Sequence, residues 1–324
     1  MPTNQQQIQT LLTKYGSQGL KTAKETLNNP NIPPPIKKIA HYFIEETWPN
    51  THHPALMALS CEAVNGDVKK THQVSAAIVL LTGAADIHDD IIDKSKTKTG
   101  KLTAYGKFNK ELVLLTGDML LFEGLILLHR TSEKLPTKTR QAVFDIVEQS
   151  FFKIGSAITS ERCLRTKPVN LADYCNVIES KGFITQACTE IGAIIGQGKT
   201  SEIEALSQLG KTLGLLMTVK NEFADMQDPK ELKGRLKNEI LPLPLMYAYE
   251  DAVAKEKIQA LLSERLNKQK IQAIAKIALE TEQVKKLKQE MLAYELNEEK
   301  TVDSALSNNR EAFKLLLKSS ISYM

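Results

Sequence analysis

Gly83-Ala84-Ala85-Asp86-Ile87-His88-Asp89-Asp90-Ile91-Ile92-Asp93 sets four carboxylates into an otherwise apolar run. The lead-in, residues 76–81 (AAIVLL), carries no break signal, so the pattern predicts that the acids sit on the last turns of a buried helix. On a helix Asp89 and Asp93 project about 40° apart, with Asp86, Asp90 and Asp93 also on one side. Like charges crowded on an apolar helix repel and raise one another's pKa unless a strong cation neutralises them. Hard oxygen donors in this arrangement suit Mg2+, which keeps waters and bridges one or two carboxylates to substrate phosphates. A solvated acidic helix end is the plainer alternative. The flanking Ile87, Ile91 and Ile92 and the hydrophobic lead-in count against it.

Composition sets outer bounds. The chain has 324 residues, 42% hydrophobic and 25% charged, as in ordinary soluble proteins with a substantial core. A net charge of +4 with scattered Lys and no aromatic interleaving argues against nucleic acid as a partner. Cys61, Cys163, Cys175 and Cys188 are widely spaced and read as buried thiols in a reducing compartment, not as a zinc site or disulfide framework. The N-terminus shows no basic-then-apolar leader, and no apolar run approaches the roughly 20 residues of a membrane span. The expectation is a cytoplasmic protein.

Apolar residues at three- and four-residue steps predict helices over residues 4–28, 36–47, through Leu56, Leu59 and Ala63, over 112–128, 141–161, 171–196 and 201–226, and in the Lys/Glu-rich remainder from Leu245. Ser201 with Glu204 reads as a capping box. His52 and His53 read as polar residues near a helix start, residues 228–235 as a charged turn, and the prolines of 241–244 as a break. No window alternates as a strand does. The chain is therefore expected to be all-α, one domain over 1–324.

A second acidic stretch, Lys220-Asn221-Glu222-Phe223-Ala224-Asp225, lies on the helix over 201–226. Asn221 and Asp225 share a face and both offer oxygen to a hard cation. Two facing helices with carboxylates at four-residue spacing can clamp Mg2+ around one diphosphate and neutralise it as it leaves.

With Asp89-Asp90-Ile91-Ile92-Asp93, Leu115-Thr116-Gly117-Asp118 and Leu241-Pro242-Leu243 in this order, the chain resembles the trans-isoprenyl diphosphate synthases of the polyprenyl synthetase family over residues 54–249. The resemblance implies an isoprenoid-synthase helical bundle of about ten or more helices around a central apolar cavity. It also implies a homodimer, or a subunit of a heteromeric synthase, that uses Mg2+ to ionise an allylic diphosphate and couple it to isopentenyl diphosphate. Asp89 and Asp93 would ligate Mg2+, with Asp90 beside them in the catalytic motif, and Asn221, Glu222 and Asp225 would occupy the second metal motif.

The departures fall mostly on the isopentenyl side. The family's Gly-Lys-Arg before Arg-Pro corresponds to Pro49-Asn50-Thr51 before His53-Pro54, its histidine on the acidic helix to Thr82, and its paired arginines to Lys98-Thr99. Its Lys-Thr is Lys181-Gly182, and its Phe-Gln is Met217-Thr218. Thr82, His53, Lys98, Lys181 and Lys220 thus stand as candidate substrate-binding residues, Lys181 also as catalytic. Arginine's two-pronged grip on phosphate is not reproduced by asparagine or threonine. Three readings stay open: an elongating enzyme with a rebuilt isopentenyl site, an enzyme passing the allylic cation to another acceptor or cyclising it, and a non-catalytic subunit. The first leads, because a complete first motif is costly to retain without metal-dependent work. If it holds, the small Ala84 and Ala85 imply a product of geranylgeranyl length or longer. Asp118 is expected to be structural or to support the site from behind its ligands, His88 either an acid or base or an interface histidine, and Glu161, Arg162 and Arg165 a charged patch of no assigned role.

Overall fold

The computed structural model describes residues 3–98, 100–164, 170–238 and 240–322; the expectations placed on Thr99 and Arg165 lie outside them. Its helices are α1 (Asn4–Thr26), α2 (Pro34–Tyr42), α3 (His52–Ala63), α4 (His72–Asp93), α5 (Ala104–Lys107), α6 (Lys110–Ser132), α7 (Thr137–Leu164) and α8 (Leu171–Lys181). They continue with α9 (Phe183–Ile195), α10 (Thr200–Gln227), α11 (Pro229–Asn238), α12 (Leu243–Ala248), α13 (Ala252–Leu262), α14 (Lys268–Leu279), α15 (Glu282–Ala305) and α16 (Arg310–Ile321). The protein is all-α. The exception is a ribbon of two antiparallel strands, β1 (Thr97–Lys98) and β2 (Lys101–Leu102), too short to show as alternation in the sequence.

The chain divides into two compact units. The first holds the chain up to Ile146 together with Cys188–Leu206 and Leu306–Asn309. Its core gathers Leu20 and Leu27 of α1, Ile36 and Ile39 of α2, Phe43 and Ile44, Val79, Leu80 and Ile87 of α4, and Val113 and Leu120 of α6. Each such side chain contributes about 1.5–3 kcal/mol by leaving water. The α4–α6 pairing dominates this unit. Gly117 makes it close at the acidic end, since a Cβ there would stand 2.4 Å from His88 Nε2.

α4 ends at Lys94, in the left-handed conformation with φ 57°, and Ser95 N–H returns to the Asp90 carbonyl at 2.9 Å. The chain then folds back as the β1–β2 ribbon. Thr103 Oγ1 donates to the Ser95 carbonyl at 2.6 Å, Tyr42 Oη to the Leu102 carbonyl at 2.7 Å, and Lys101 Nζ to the Glu46 carbonyl at 2.9 Å. These bonds hold the ribbon over the acidic end of α4.

The second unit holds Val147–Ala187, Ser207–Ala305 and the chain from Arg310. Here α12 packs on α8, α14 and α15, and α16 packs on α15. The helix expected over 171–196 is broken at Gly182. A Cβ on Gly182 would stand 2.7 Å from the Gly214 carbonyl carbon, so α10 crosses this junction backbone to backbone. The turn expected over 228–235 is instead helix α11: Pro229 suits the first helical position and Asp228 Oδ1 accepts from Lys230 N–H at 2.7 Å. The capping partnership at the start of α10 also lies two residues earlier than expected, Glu202 accepting from Lys199 N–H at 2.8 Å.

Two further expectations are corrected. Cys163 is exposed, whereas Cys61 and Cys188 are buried and Cys175 is half-buried. α6 is long and apolar enough to cross a membrane, with a mean hydropathy of 1.8 over an 18-residue window. One side of α6 feeds the core, and the other leaves Leu112, Leu115, Phe122, Leu125 and Ile126 exposed. Leu112 and Leu115 are three apart, Phe122 follows two turns later, and Leu125 and Ile126 lie three and four beyond it, so they form one stripe.

Candidate active site

The acidic end of α4 is assembled as its spacing predicts. Asp90 turns inward and is 4% exposed; Asp86, Asp89 and Asp93 are half-buried or lie at its edge. Burial pushes the Asp90 carboxyl up to about 7 against the pull of Lys98, and repulsion from Asp86, Asp89 and Asp93 adds to the rise. Lys98 reaches back from β1 with Nζ 2.9 Å from Asp86 Oδ1 and 3.9 Å from Asp90 Oδ1. Burial alone would lower its ammonium, yet the charge and hydrogen bond of Asp86, with Asp90 and Asp89, leave it above its ordinary value.

A cation already stands against this cluster, in the form of a tethered ammonium. Among the described residues no three carboxylate, imidazole or thiol groups converge into a ready-made metal cage. Asp89 and Asp93 stand four residues apart on α4.

Other candidates in this unit are engaged locally. Thr82 Oγ1 donates to the Ile78 carbonyl at 2.7 Å, so its hydroxyl proton is spent on its own helix. His88 Nε2 lies 3.3 Å from Asp118 Oδ1, which gives Asp118 a supporting position beside the acidic helix. Ala84 is buried in the core, whereas Ala85 is half-buried.

His53 does not replace the arginine it aligns with. Its Nδ1 is 2.9 Å from Asn50 Nδ2, an amide that can only donate, and its ring stands edge-on to Trp48. Burial and the neighbouring His52 push the His53 imidazole down to about 3, and burial pushes His52 down to about 4. Both rings are neutral at physiological pH. Asn50 Oδ1 also accepts the backbone N–H groups of His52 and His53 at 3.0 and 3.1 Å, which caps the first turn of α3.

In the second unit Lys181 pairs with Glu161 at 2.7 Å, which supplies a role for a carboxylate that the sequence left unassigned. Lys220 Nζ donates to the Ser319 carbonyl at 2.6 Å, at the end of α16. Asn221 is exposed, but Glu222 is 5% exposed and Asp225 half-buried. Arg235 of α11 binds both, Nη2 to Glu222 Oε2 at 3.0 Å and Nη1 to Asp225 Oδ2 at 2.6 Å. Burial pushes Asp225 up to about 6 against Arg235's pull, with Glu222 and Glu231 adding repulsion. Arg235 was missed because residues 228–235 read as a solvated turn; the Asp-Pro start of α11 was the signal.

Solved structures share this fold. Geranylgeranyl pyrophosphate synthetase from Pyrococcus horikoshii superposes with a TM-score of 0.84 at 19% identity, over 97% of this chain and 98% of that one. Heptaprenyl diphosphate synthase from Staphylococcus aureus gives 0.80 at 20% identity, over 96% and 98%. By sequence, a short chain isoprenyl diphosphate synthase from Methanothermobacter thermautotrophicus is 26% identical over 71% of this chain and 70% of its own length. A geranylgeranyl diphosphate synthase from Methanosarcina mazei is 24% identical over 63% of each. The class so defined is a prenyltransferase. Residues 34–280 match the profile described as polyprenyl synthetase, and the chain belongs to that family.

Proposed function

We propose that this chain is a Mg2+-dependent prenyltransferase that condenses an allylic diphosphate with isopentenyl diphosphate, giving a polyprenyl diphosphate of geranylgeranyl length or longer. The observation that carries the reading is the α4 cluster, in which a basic side chain already sits where a cation is required. Mg2+ bound there supplies positive charge to the departing diphosphate. Asp89 and Asp93 would hold it, and Lys98, released from Asp86, would donate to a diphosphate oxygen. The half-buried Ala85 would present an apolar surface to the allylic chain. Four thiols without a disulfide among the described residues suit a cytoplasmic setting.

One observation favours a second reading. Asn50 and His53 form a neutral, mutually satisfied pair where isopentenyl diphosphate would need cations. An acceptor without a diphosphate, or cyclisation of the allylic chain, fits that neutrality. Incubation with Mg2+ and farnesyl or geranylgeranyl diphosphate, with and without labelled isopentenyl diphosphate, separates the two. Elongated labelled product supports the first reading, and diphosphate release without label supports the second. No release under either condition sinks both.

The exposed stripe of α6 supports a homodimer. Phe122 is 63% exposed in the single chain, and its apolar neighbours along the helix are open to cover by a second copy.

A further inference from the structure

Each acidic cluster is met by a basic side chain from the segment that follows it, and the two are held very differently. Lys98 approaches from a two-residue strand with half of its side chain exposed, and an exposed pair of this kind is easily displaced. Arg235 is 8% exposed and its guanidinium is fixed on every side. Nε donates to the Ile240 carbonyl at 2.9 Å, Nη1 to Asp225 Oδ2 at 2.6 Å and Glu222 Oε1 at 3.2 Å. Nη2 donates to Tyr174 Oη at 2.8 Å and to both Glu222 oxygens, at 3.2 and 3.0 Å.

Glu222 is closed from its other side as well. Its Oε2 accepts the Tyr174 hydroxyl at 3.1 Å and the Leu243 backbone N–H at 2.8 Å. Its acceptor positions are taken by guanidinium, phenol and main chain together. A divalent ion entering here would have to expel a buried guanidinium from both of its counter-charges, and breaking a buried pair is strongly unfavourable. What stays accessible is Asn221, which is neutral and a poor ligand for a hard cation on its own.

We propose that Arg235 stands permanently in the place of a cation in the second acidic cluster, so that Asn221, Glu222 and Asp225 bind no divalent metal. Arg235 is then a positioning residue that fixes α10, α11 and the start of α12 together. The inference deepens the proposed function and rests on its assignment of metal to α4, which the same experiment tests separately.

The test is titration of the full chain with Mn2+, followed by the paramagnetic resonance signal of the free ion. Asp225→Asn keeps an acceptor for Arg235 and is expected to bind Mn2+ with the stoichiometry and affinity of the unmodified chain. Asp89→Ala is expected to weaken binding about tenfold or more. Arg235→Gln, if its far-ultraviolet dichroism shows a folded chain, is expected to gain Mn2+ binding as the two carboxylates are uncovered. A fall in stoichiometry in Asp225→Asn overturns the inference and leaves the α4 assignment standing. Unchanged Mn2+ binding in Asp89→Ala, with Asp225→Asn also unchanged, removes the α4 assignment and leaves the closed second cluster intact.

Discussion

Lys98 Nζ lies 2.9 Å from Asp86 Oδ1, so the ribbon after α4 neutralises the helix that precedes it. The pair is partly exposed and is worth at most about 1 kcal/mol. Removing the ammonium in Lys98→Ala should therefore tighten Mn2+ binding by no more than about fivefold in the absence of diphosphate. The same change should raise KM for the allylic diphosphate about tenfold, the loss of one charge-assisted hydrogen bond. Opposite movement of metal affinity and KM, measured by titration and initial rates, is the signature to look for.

Metal dependence follows from the same helix end. Stripping divalent ions with a chelator should abolish turnover, and Mg2+ should restore it. Asp89→Ala should lower kcat at least about 100-fold, since a bound metal contributes several kcal/mol to charge stabilisation. Turnover unaffected by the substitution would refute the assignment.

The neutral histidines give a pH dependence with a definite sign. Unfolded histidine titrates near 6.5, while His52 and His53 in the folded chain titrate at about 4 and about 3. The unfolded chain thus takes up protons that the folded chain refuses, and stability falls as pH drops from about 6.5 toward 3. Thermal melts over that range should show the loss, and His53→Gln should make it shallower. A melting temperature that climbs between pH 6.5 and 4 in the unmodified chain, yet drops in the variant, would contradict this.

Gly182 stands where the family resemblance expects a threonine, and the fold says why a larger residue is not accepted. A Cβ would lie 2.7 Å from the Gly214 carbonyl carbon, which is main chain and cannot swing aside. Gly182→Thr is expected to cost about 1–3 kcal/mol by overpacking, read as a lower denaturation midpoint. A stability equal to that of the unmodified chain would mean that α10 can shift away.

How much of this was legible depended on whether the controlling contact was local. The helix under Asp86 to Asp93 was readable because every third or fourth residue around the acids is apolar, a pattern that repeats within one element. The second cluster was found for the same reason. Its chemistry was not, because Arg235 reaches Glu222 only once Asp228 and Pro229 start a helix inside a stretch whose charge density resembles a turn. The break at Gly182 was hidden likewise, since apolar spacing continues through it and the reason for it lies on α10. Lys98 was named from the resemblance, but its fold-back onto Asp86 depends on a ribbon two residues deep.

The apolar stripe of α6 carries a prediction about assembly. Phe122→Glu places a charge in the middle of the stripe without touching the core face. In sedimentation velocity the unmodified chain should run as a dimer and the variant as a monomer with an unchanged far-ultraviolet spectrum. A variant that still sediments as a dimer would place the contact elsewhere.

Asn50 has two employments, since it caps α3 through its oxygen and donates to His53 Nδ1 through its nitrogen. Lysine or arginine at this position would install a cation but uncap the helix, at a cost of about 1 kcal/mol, and would remove the donor that fills His53 Nδ1. A laboratory effort to restore an anionic acceptor would therefore change Asn50 and His53 together, so that the new cation does not leave His53 Nδ1 without its donor.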